Sequence, residues 1–397
     1  MLTLIKNAHV FAPEDVGYQD ILICDGRIAA IGSAISLSSI GVNVTLIDAN
    51  GMIALPGFVD PLAHITGGGG EGGFHTRTPE MELTEAILYG VTTLVAGLGT
   101  DATTRSLPDL LAKAHALDHE GVSVYCYTGS YEFPVKTVLS SVREDILLID
   151  KFIGVGEVAI ADHRGSHPSM HELARLASDA RVGGMLAGKR GIVFLHVGEG
   201  REKLDLIRQV IQNYPVPVTQ FYPTHMNRSV ELLRNGYDLA KNGVVLDVTA
   251  STTPELVSQG ELTAAHALAT ALEDGLDFKQ ISFSSDGNAS LPDFDKHGNL
   301  VGLQVGRVSS LYSAFVSAVL DYNISLPVAA HAVSTNAARY LGLKRKGRLV
   351  PNYDADIVLM ESKTLKVEHV WSRGRHVVAQ GQAMALPTFQ AAKETRR

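Results

Sequence analysis

Three residues of types that bind divalent metals stand at or near the ends of three successive apolar runs: Glu157 in FIGVGEVAIA, His196 in GIVFLHVG and His225 in PVTQFYPTH. Imidazole nitrogen and carboxylate oxygen are donors that zinc and its neighbours prefer, and a catalytic metal keeps one position open for water. A lone buried histidine is usually a hydrogen-bonded core residue, but three ligand-type residues at three matching run ends point to a metal centre. Asp286, in SFSSDGN at the end of a later run, can ligate too and can accept a proton from an attacking water. As part of an Asp-Gly pair it equally suits a turn. The chemistry implied is metal-assisted hydrolysis.

Residues that could hold a charged substrate accompany this set. The run Gly67 to Gly70 followed by Glu71 lacks the Lys and Ser/Thr of a phosphate loop and reads as a tight substrate loop, with Glu71 as a partner for an amine or as a solvated loop acid. Arg164 in ADHR and Arg228 in THMNR directly follow the metal-bearing runs, where a guanidinium can grip a carboxylate through two parallel bonds or serve a structural ion pair. Tyr131 in TGSYEFP could polarise a carbonyl oxygen, or simply pack as an aromatic at a strand end.

The elements that must position these groups repeat eight times. MIALPGFVD, TTLVAGLG, VSVYCYTG, FIGVGEVAIA, GIVFLHVG, PVTQFYPTH, VVLDVTA and ISFSSDG are strand-like, and helical stretches such as ELARLASDAR lie between them. Alternation of this kind predicts parallel βαβ units, and eight of them predict an α/β (β/α)8 barrel of the TIM type. In such a barrel the C-terminal strand ends meet at one mouth, which gathers Asp60 and His64, Thr100, Tyr131, Glu157, His196, His225, Thr249 and Asp286. Short alternating strands at both chain ends predict a small, β-sandwich-like domain of residues 1–52 plus 346–397, leaving 53–345 for the barrel.

The bulk numbers agree with a folded enzyme. With 45% hydrophobic and 19% charged residues the chain can bury a large core. A net charge of −8 without a basic cluster speaks against nucleic acid or anionic lipid as partner. The start MLTLIKNAHV lacks the pattern of a secretory signal, and no run approaches the ~18 apolar residues of a membrane span. Cys24 and Cys126 sit in separate strand-like runs, so no disulfide framework is expected, and a cytoplasmic location fits best.

PGFVD...HITGGGGEGG, RTPE, GVTTLVAGLGTD, TGSYEFP, SDARVGGMLAGK, PTHMNR and SSDGNAS resemble the isoaspartyl dipeptidases of the amidohydrolase superfamily, over nearly the whole chain. The resemblance implies a barrel with a small β domain, two zinc ions, hydrolysis of the isopeptide amide of β-aspartyl dipeptides by a metal-activated water, and a homo-oligomer. By motif, His64 would ligate the first metal, Glu157 bridge, His196 and His225 hold the second, and Asp286 serve the first metal and act as general acid and base. Glu71 would bind the α-amino group, Arg164, Arg228 and Ser290 the carboxylates, and Tyr131 the carbonyl oxygen, with Gly69 and Thr100 lining the pocket.

Two departures from the family pattern matter. Where the family has a His-x-His pair, this chain has Leu62-Ala63-His64, and leucine coordinates nothing. Where the family carries a carboxylated lysine, this chain has Glu157, which brings the same charge and two oxygens without needing carbon dioxide. The expectation is one tightly held zinc at Glu157, His196 and His225, with the first site weak or empty and Asp286 free to act as base. Leu62 keeps two alternatives open: an amidohydrolase for another acyl or cyclic amide, and a catalytically impaired, ligand-binding paralogue.

Overall fold

The computed structural model describes residues 2–37, 43–294 and 299–389. The strands in chain order are β1 (Leu2–Phe11), β2 (Asp15–Cys24), β3 (Arg27–Gly32), β4 (Val44–Asp48), β5 (Ile53–Pro56), β6 (Phe58–Ala63), β7 (Val91–Ala96), β8 (Ser123–Thr128), β9 (Phe152–Ile160), β10 (Ile192–Val197), β11 (Phe221–Thr224), β12 (Leu246–Thr249), β13 (Ile281–Ser284), β14 (Ser290–Phe294), β15 (Leu300–Val305), β16 (Ile357–Met360), β17 (Val367–Ser372), β18 (Arg375–Ala379) and β19 (Gln382–Ala383). Strands β6 to β11 pair in chain order as one parallel sheet, and β12 pairs parallel with β13.

Two sets of bonds tie these sheets together. On one side, Asp286 N donates to Leu62 O at 3.1 Å and His64 N to Gly287 O at 2.8 Å, so the end of β13 runs beside β6. On the other, the Asn227 side chain bonds the backbone of Thr249, and Thr224 donates to Asp247 on β12 at 2.6 Å. The architecture is a TIM-barrel-like α/β fold. β6 to β13 are almost entirely buried, as strands covered on both faces must be, and this explains their continuous apolar runs.

Side chains alternate between the two faces of each strand. On β10 this sends Leu195 outward to the helices and turns Phe194 and His196 inward together. Leu62 and His64 share a face in the same way. Val59, Leu62, Val95, Tyr127, Phe194, Tyr222 and Val245 fill the interior, and the Tyr127 and Phe194 rings stack at 4.8 Å. A solid apolar floor therefore lies beneath the mouth. The covering helices begin and end where local chemistry dictates: Ser169 and Glu172 form a capping box for Met170–Ala187, and Gly188 closes that helix at φ 65°.

The terminal strands join one nine-stranded sheet with its own core, which includes Ile5, Ile21, Leu359 and Trp371. β1 runs parallel to β4 through its first half and to β5 near its end, and β16 closes antiparallel on β5. The run MIALPGFVD, expected as one strand, is thus divided: β5 belongs to the terminal sheet and the first barrel strand begins at Phe58, because Gly57 donates to Asp356 O while Phe58 donates to Gly90 O. Residue 1 and residues 38–42 and 390–397 of the expected terminal domain lie outside the described residues, as do 295–298 of the expected barrel. Among the described residues no helix is long and apolar enough to cross a membrane.

Candidate metal centre and substrate pocket

Glu157 is completely buried on β9, and its two carboxylate oxygens face three imidazoles. Oε2 lies 3.2 Å from His225 Nε2 and 3.5 Å from His196 Nδ1, while Oε1 lies 3.6 Å from His64 Nε2. Among the described residues, the one group of His, Cys, Asp and Glu whose ligand atoms all lie within 4.8 Å of one another is Glu157, His196 and His225. His64 and Asp286 pair with each other instead, at 3.0 Å between Nε2 and Oδ1. Leu62, two residues before His64, is wholly buried in the apolar interior.

The remaining bond of each ring limits its orientation. His196 Nε2 lies 2.8 Å from Asp162 Oδ2, His225 Nδ1 lies 2.5 Å from Thr249 Oγ1, and His64 Nδ1 lies 3.1 Å from the carbonyl of Gly97. Burial pushes the pKa of His196 and of His225 down to about 4, so both rings are neutral and keep a lone pair for a metal. At His64 burial works in the same direction, but the hydrogen bond and charge of Asp286 and the charge of Glu157 outweigh it and raise the pKa. Burial opposes ionisation of Asp286, and the His64 bond with the surrounding imidazoles holds its carboxyl below the usual range.

The donor set suits a divalent cation. Glu157 Oε1 is a buried carboxylate oxygen with no hydrogen-bond partner, a costly arrangement that a cation would satisfy. Two neutral imidazoles and a carboxylate are also the His2Glu set of catalytic zinc sites. His225 and Asp286 are held at φ 62° and 52°, a conformation rare outside glycine, so the chain bears local strain at two of these positions.

A cavity of ≈ 270 Å³ opens above the triad, and every residue expected to touch substrate lines it: Gly69, Glu71, Thr100, Tyr131, Arg164, Arg228 and Ser290. Glu71 accepts from Thr100 Oγ1 at 3.1 Å and from Ser290 Oγ at 2.7 Å, so Ser290, expected among carboxylate binders, here turns to an acid. Gly69 has φ 74°, and a Cβ there would stand 2.9 Å from that of Ser290, which makes glycine a requirement of this approach. The rest of the glycine-rich loop is anchored by the buried Arg105, whose guanidinium donates to the carbonyls of Thr66, Gly68 and Thr78.

Both arginines approach His196 Nε2, at 3.3 Å from Arg164 Nη2 and 3.4 Å from Arg228 Nη2. Arg164 is already engaged by Asp162 through two bonds, at 3.0 and 2.8 Å, and its Nη1 lies 3.9 Å from Glu71. Arg228 donates through Nε to Val197 O and turns Nη1 toward Glu199 and Glu261. The Tyr131 hydroxyl is 2.6 Å from His196 Nδ1, the nitrogen that faces Glu157. Burial raises the pKa of that phenol well above its ordinary value, so it remains a proton donor.

Sequence reasoning missed Asp162 altogether and named Thr249 without a role. Both were within reach of the rule that a metal-binding histidine gives its second nitrogen to an oxygen acceptor. Asp162 stands two residues before Arg164, in the same ADHR stretch.

The model of the amidohydrolase family matches residues 53–383. The chain belongs to the amidohydrolase family. Within it, the chain groups with the β-aspartyl dipeptidases. It is 41% identical to the β-aspartyl dipeptidase of the thermophilic, keratin-degrading Fervidobacterium islandicum AW-1, solved in complex with a β-Asp-Leu dipeptide, with a TM-score of 0.92 over 98% of this chain and 99% of that one. An allantoinase from Escherichia coli is 24% identical over 90% of this chain and 85% of its own length. A dihydroorotase from Elusimicrobium minutum is 45% identical over a stretch of 74 residues, which spans 18% of this chain and 16% of that protein. This amidohydrolase is thus a hydrolytic, dipeptidase-like enzyme with a small-molecule substrate.

Proposed function

We propose that the chain hydrolyses the isopeptide amide of β-aspartyl dipeptides at a single zinc held by Glu157, His196 and His225. The observation that carries this reading is the pairing of charges around the buried triad: the Glu71 carboxylate among Thr100, Ser290 and Arg164, and the guanidinium groups of Arg164 and Arg228 beside His196. A β-aspartyl dipeptide is a zwitterion with one amine and two carboxylates, and this distribution of charge matches it. The kinship with a dipeptidase that binds β-Asp-Leu supports the same choice.

A divalent cation at the triad supplies a Lewis acid and lowers the pKa of water toward neutrality. The protein's own groups carry the remaining steps. Glu71, held by the hydroxyls of Thr100 and Ser290, accepts the substrate ammonium, and Arg164 and Arg228 take the carboxylates, which fixes the scissile amide over the triad. Tyr131 donates its hydroxyl proton as a hydrogen bond to the amide carbonyl oxygen, where negative charge grows as water adds. Asp286 takes a proton from the attacking water and returns one to the departing amine nitrogen. Because His64 occupies Asp286 Oδ1, the other carboxylate oxygen is the one available for this transfer.

We further infer that the enzyme works as a homo-oligomer whose barrel, 53–345, is carried on a unit built from 1–52 and 346–397, with the run MIALPGFVD shared between them, β5 on the terminal sheet and β6 in the barrel. The decisive experiment is turnover of a β-aspartyl dipeptide panel by the metal-loaded enzyme. Release of free aspartate, lost in Asp286→Asn, is the expected result. Turnover confined to cyclic or other acyl amides would replace this reading with another amidohydrolase substrate.

A further inference from the structure

We propose that Asp162 is a positioning residue that couples metal affinity to carboxylate recognition, by holding His196 and Arg164 with one carboxylate. The inference rests on the proposed site only for the identity of the substrate; the metal part stands on the triad itself.

Asp162 is 7% exposed, in the loop that follows β9. All the bonds it accepts from its two neighbours are short and directed. Oδ1 takes the backbone N–H of Arg164 at 2.8 Å and its Nε at 3.0 Å, and Oδ2 takes Arg164 Nη2 and His196 Nε2, each at 2.8 Å. A neutral imidazole carries one ring proton. With that proton on Nε2, shared with Asp162, the lone pair lies on Nδ1, which faces Glu157 Oε2 at 3.5 Å. The carboxylate thus selects the tautomer in which His196 can act as a ligand. It also fixes the plane of the Arg164 fork.

The backbone is built around this contact. Gly198, two residues past His196, comes so close to the Asp162 loop that a Cβ there would stand 2.3 Å from Ala161 O and 2.5 Å from Asp162 Cβ. Its N–H and that of Gly200 donate to Ile160 O and Ala161 O, at 3.0 and 2.7 Å. β10 and the β9 loop are therefore clamped together at the point where Asp162 meets His196. Glu157 and Asp162 stand on the same strand and its loop, so one stretch of chain carries both a ligand and the group that orients the next ligand.

The test separates the two arms of this carboxylate. Asp162→Asn keeps the shape, but both of its neighbours are donors, so its amide NH2 must oppose one of them. Asp162→Glu retains the charge, and Arg164→Lys leaves the His196 contact in place. Zinc affinity is measured by titrating apo protein against a chromophoric chelator, and KM and kcat are measured on β-Asp-Leu with zinc saturating. The expected result for Asp162→Asn is a zinc Kd weakened about 10- to 100-fold, together with a raised KM. Asp162→Glu recovers part of the zinc affinity, and Arg164→Lys raises KM with zinc Kd unchanged. Wild-type zinc affinity in folded Asp162→Asn would overturn the proposal, and so would an equal loss of zinc affinity in Arg164→Lys. If the wild-type enzyme fails to cleave β-Asp-Leu, the substrate assignment falls while the zinc titration still decides the role of Asp162.

Discussion

His64 Nε2 and Asp286 Oδ1 stand 3.0 Å apart across the barrel mouth, the first just past β6 and the second just past β13. Each is the other's partner. In a binuclear centre both would instead be turned to a metal, with a second imidazole from the position that Leu62 fills. The apolar side chain of Leu62 belongs to the floor of the barrel and offers no such donor.

The first prediction concerns metal count. Protein dialysed against a chelator of moderate strength retains one equivalent of zinc by elemental analysis, and Leu62→His raises the count toward two. Two equivalents surviving in the wild type would refute the single-metal reading. Because Leu62 is fully buried, the added imidazole costs about 1–3 kcal/mol of stability unless a metal satisfies it.

Replacing Asp286 by Asn removes the proton acceptor while preserving shape. The expected fall in kcat is about 10²- to 10⁴-fold, with zinc content unchanged. Loss of the zinc along with activity would instead make Asp286 a ligand of that same ion.

One carboxyl in the barrel wall contributes stability that is lost as pH rises through the acid range, against the opposite contribution of the neutral rings of His196 and His225. Burial pushes Asp247 from 3.8 up to about 7, although the hydroxyls of Ser284, Thr224 and Ser282 all donate to it. Between those values the folded chain holds a proton that the unfolded chain releases, so stability is greatest below 3.8 for this group and is lost as pH approaches 7. The difference corresponds to on the order of 4 kcal/mol, at about 1.4 kcal/mol for each pH unit. Asp247→Asn should make the slope of melting temperature against pH more positive between those values, and a slope equal to that of the wild type would refute the assignment.

The two cysteines should react differently. Cys24 is exposed, whereas Cys126 is fully buried and its thiol is pushed up to about 12. A thiol reagent at neutral pH titrates one group in the native enzyme and two after denaturation. Two fast groups in the native enzyme would show that β8 opens.

The barrel and the identity of its mouth residues were legible because parallel strands buried on both faces announce themselves as apolar runs, and the polar residues that interrupt them cluster at one end. Glu157, His196 and His225 are read correctly as neighbours by that logic alone. What the sequence concealed were relationships that depend on the turn of a loop. Asp162 sits beside an exposed histidine in ADHR, and nothing in its spacing says that it folds back on His196. The split between β5 and β6 was hidden for a different reason: one apolar run serves two sheets, and only the pairing partners reveal where it changes allegiance.

That shared run has a consequence for how the molecule is made. β5 is synthesised before any barrel strand, yet its antiparallel partner β16 follows the entire barrel in sequence. A growing chain on the ribosome therefore carries an open strand edge, directly attached to the first barrel strand, until its last strands emerge. Contacts of such long separation form late. The terminal sheet is the final clasp of the molecule, and a chaperone meeting the nascent protein would find its unpaired edge there.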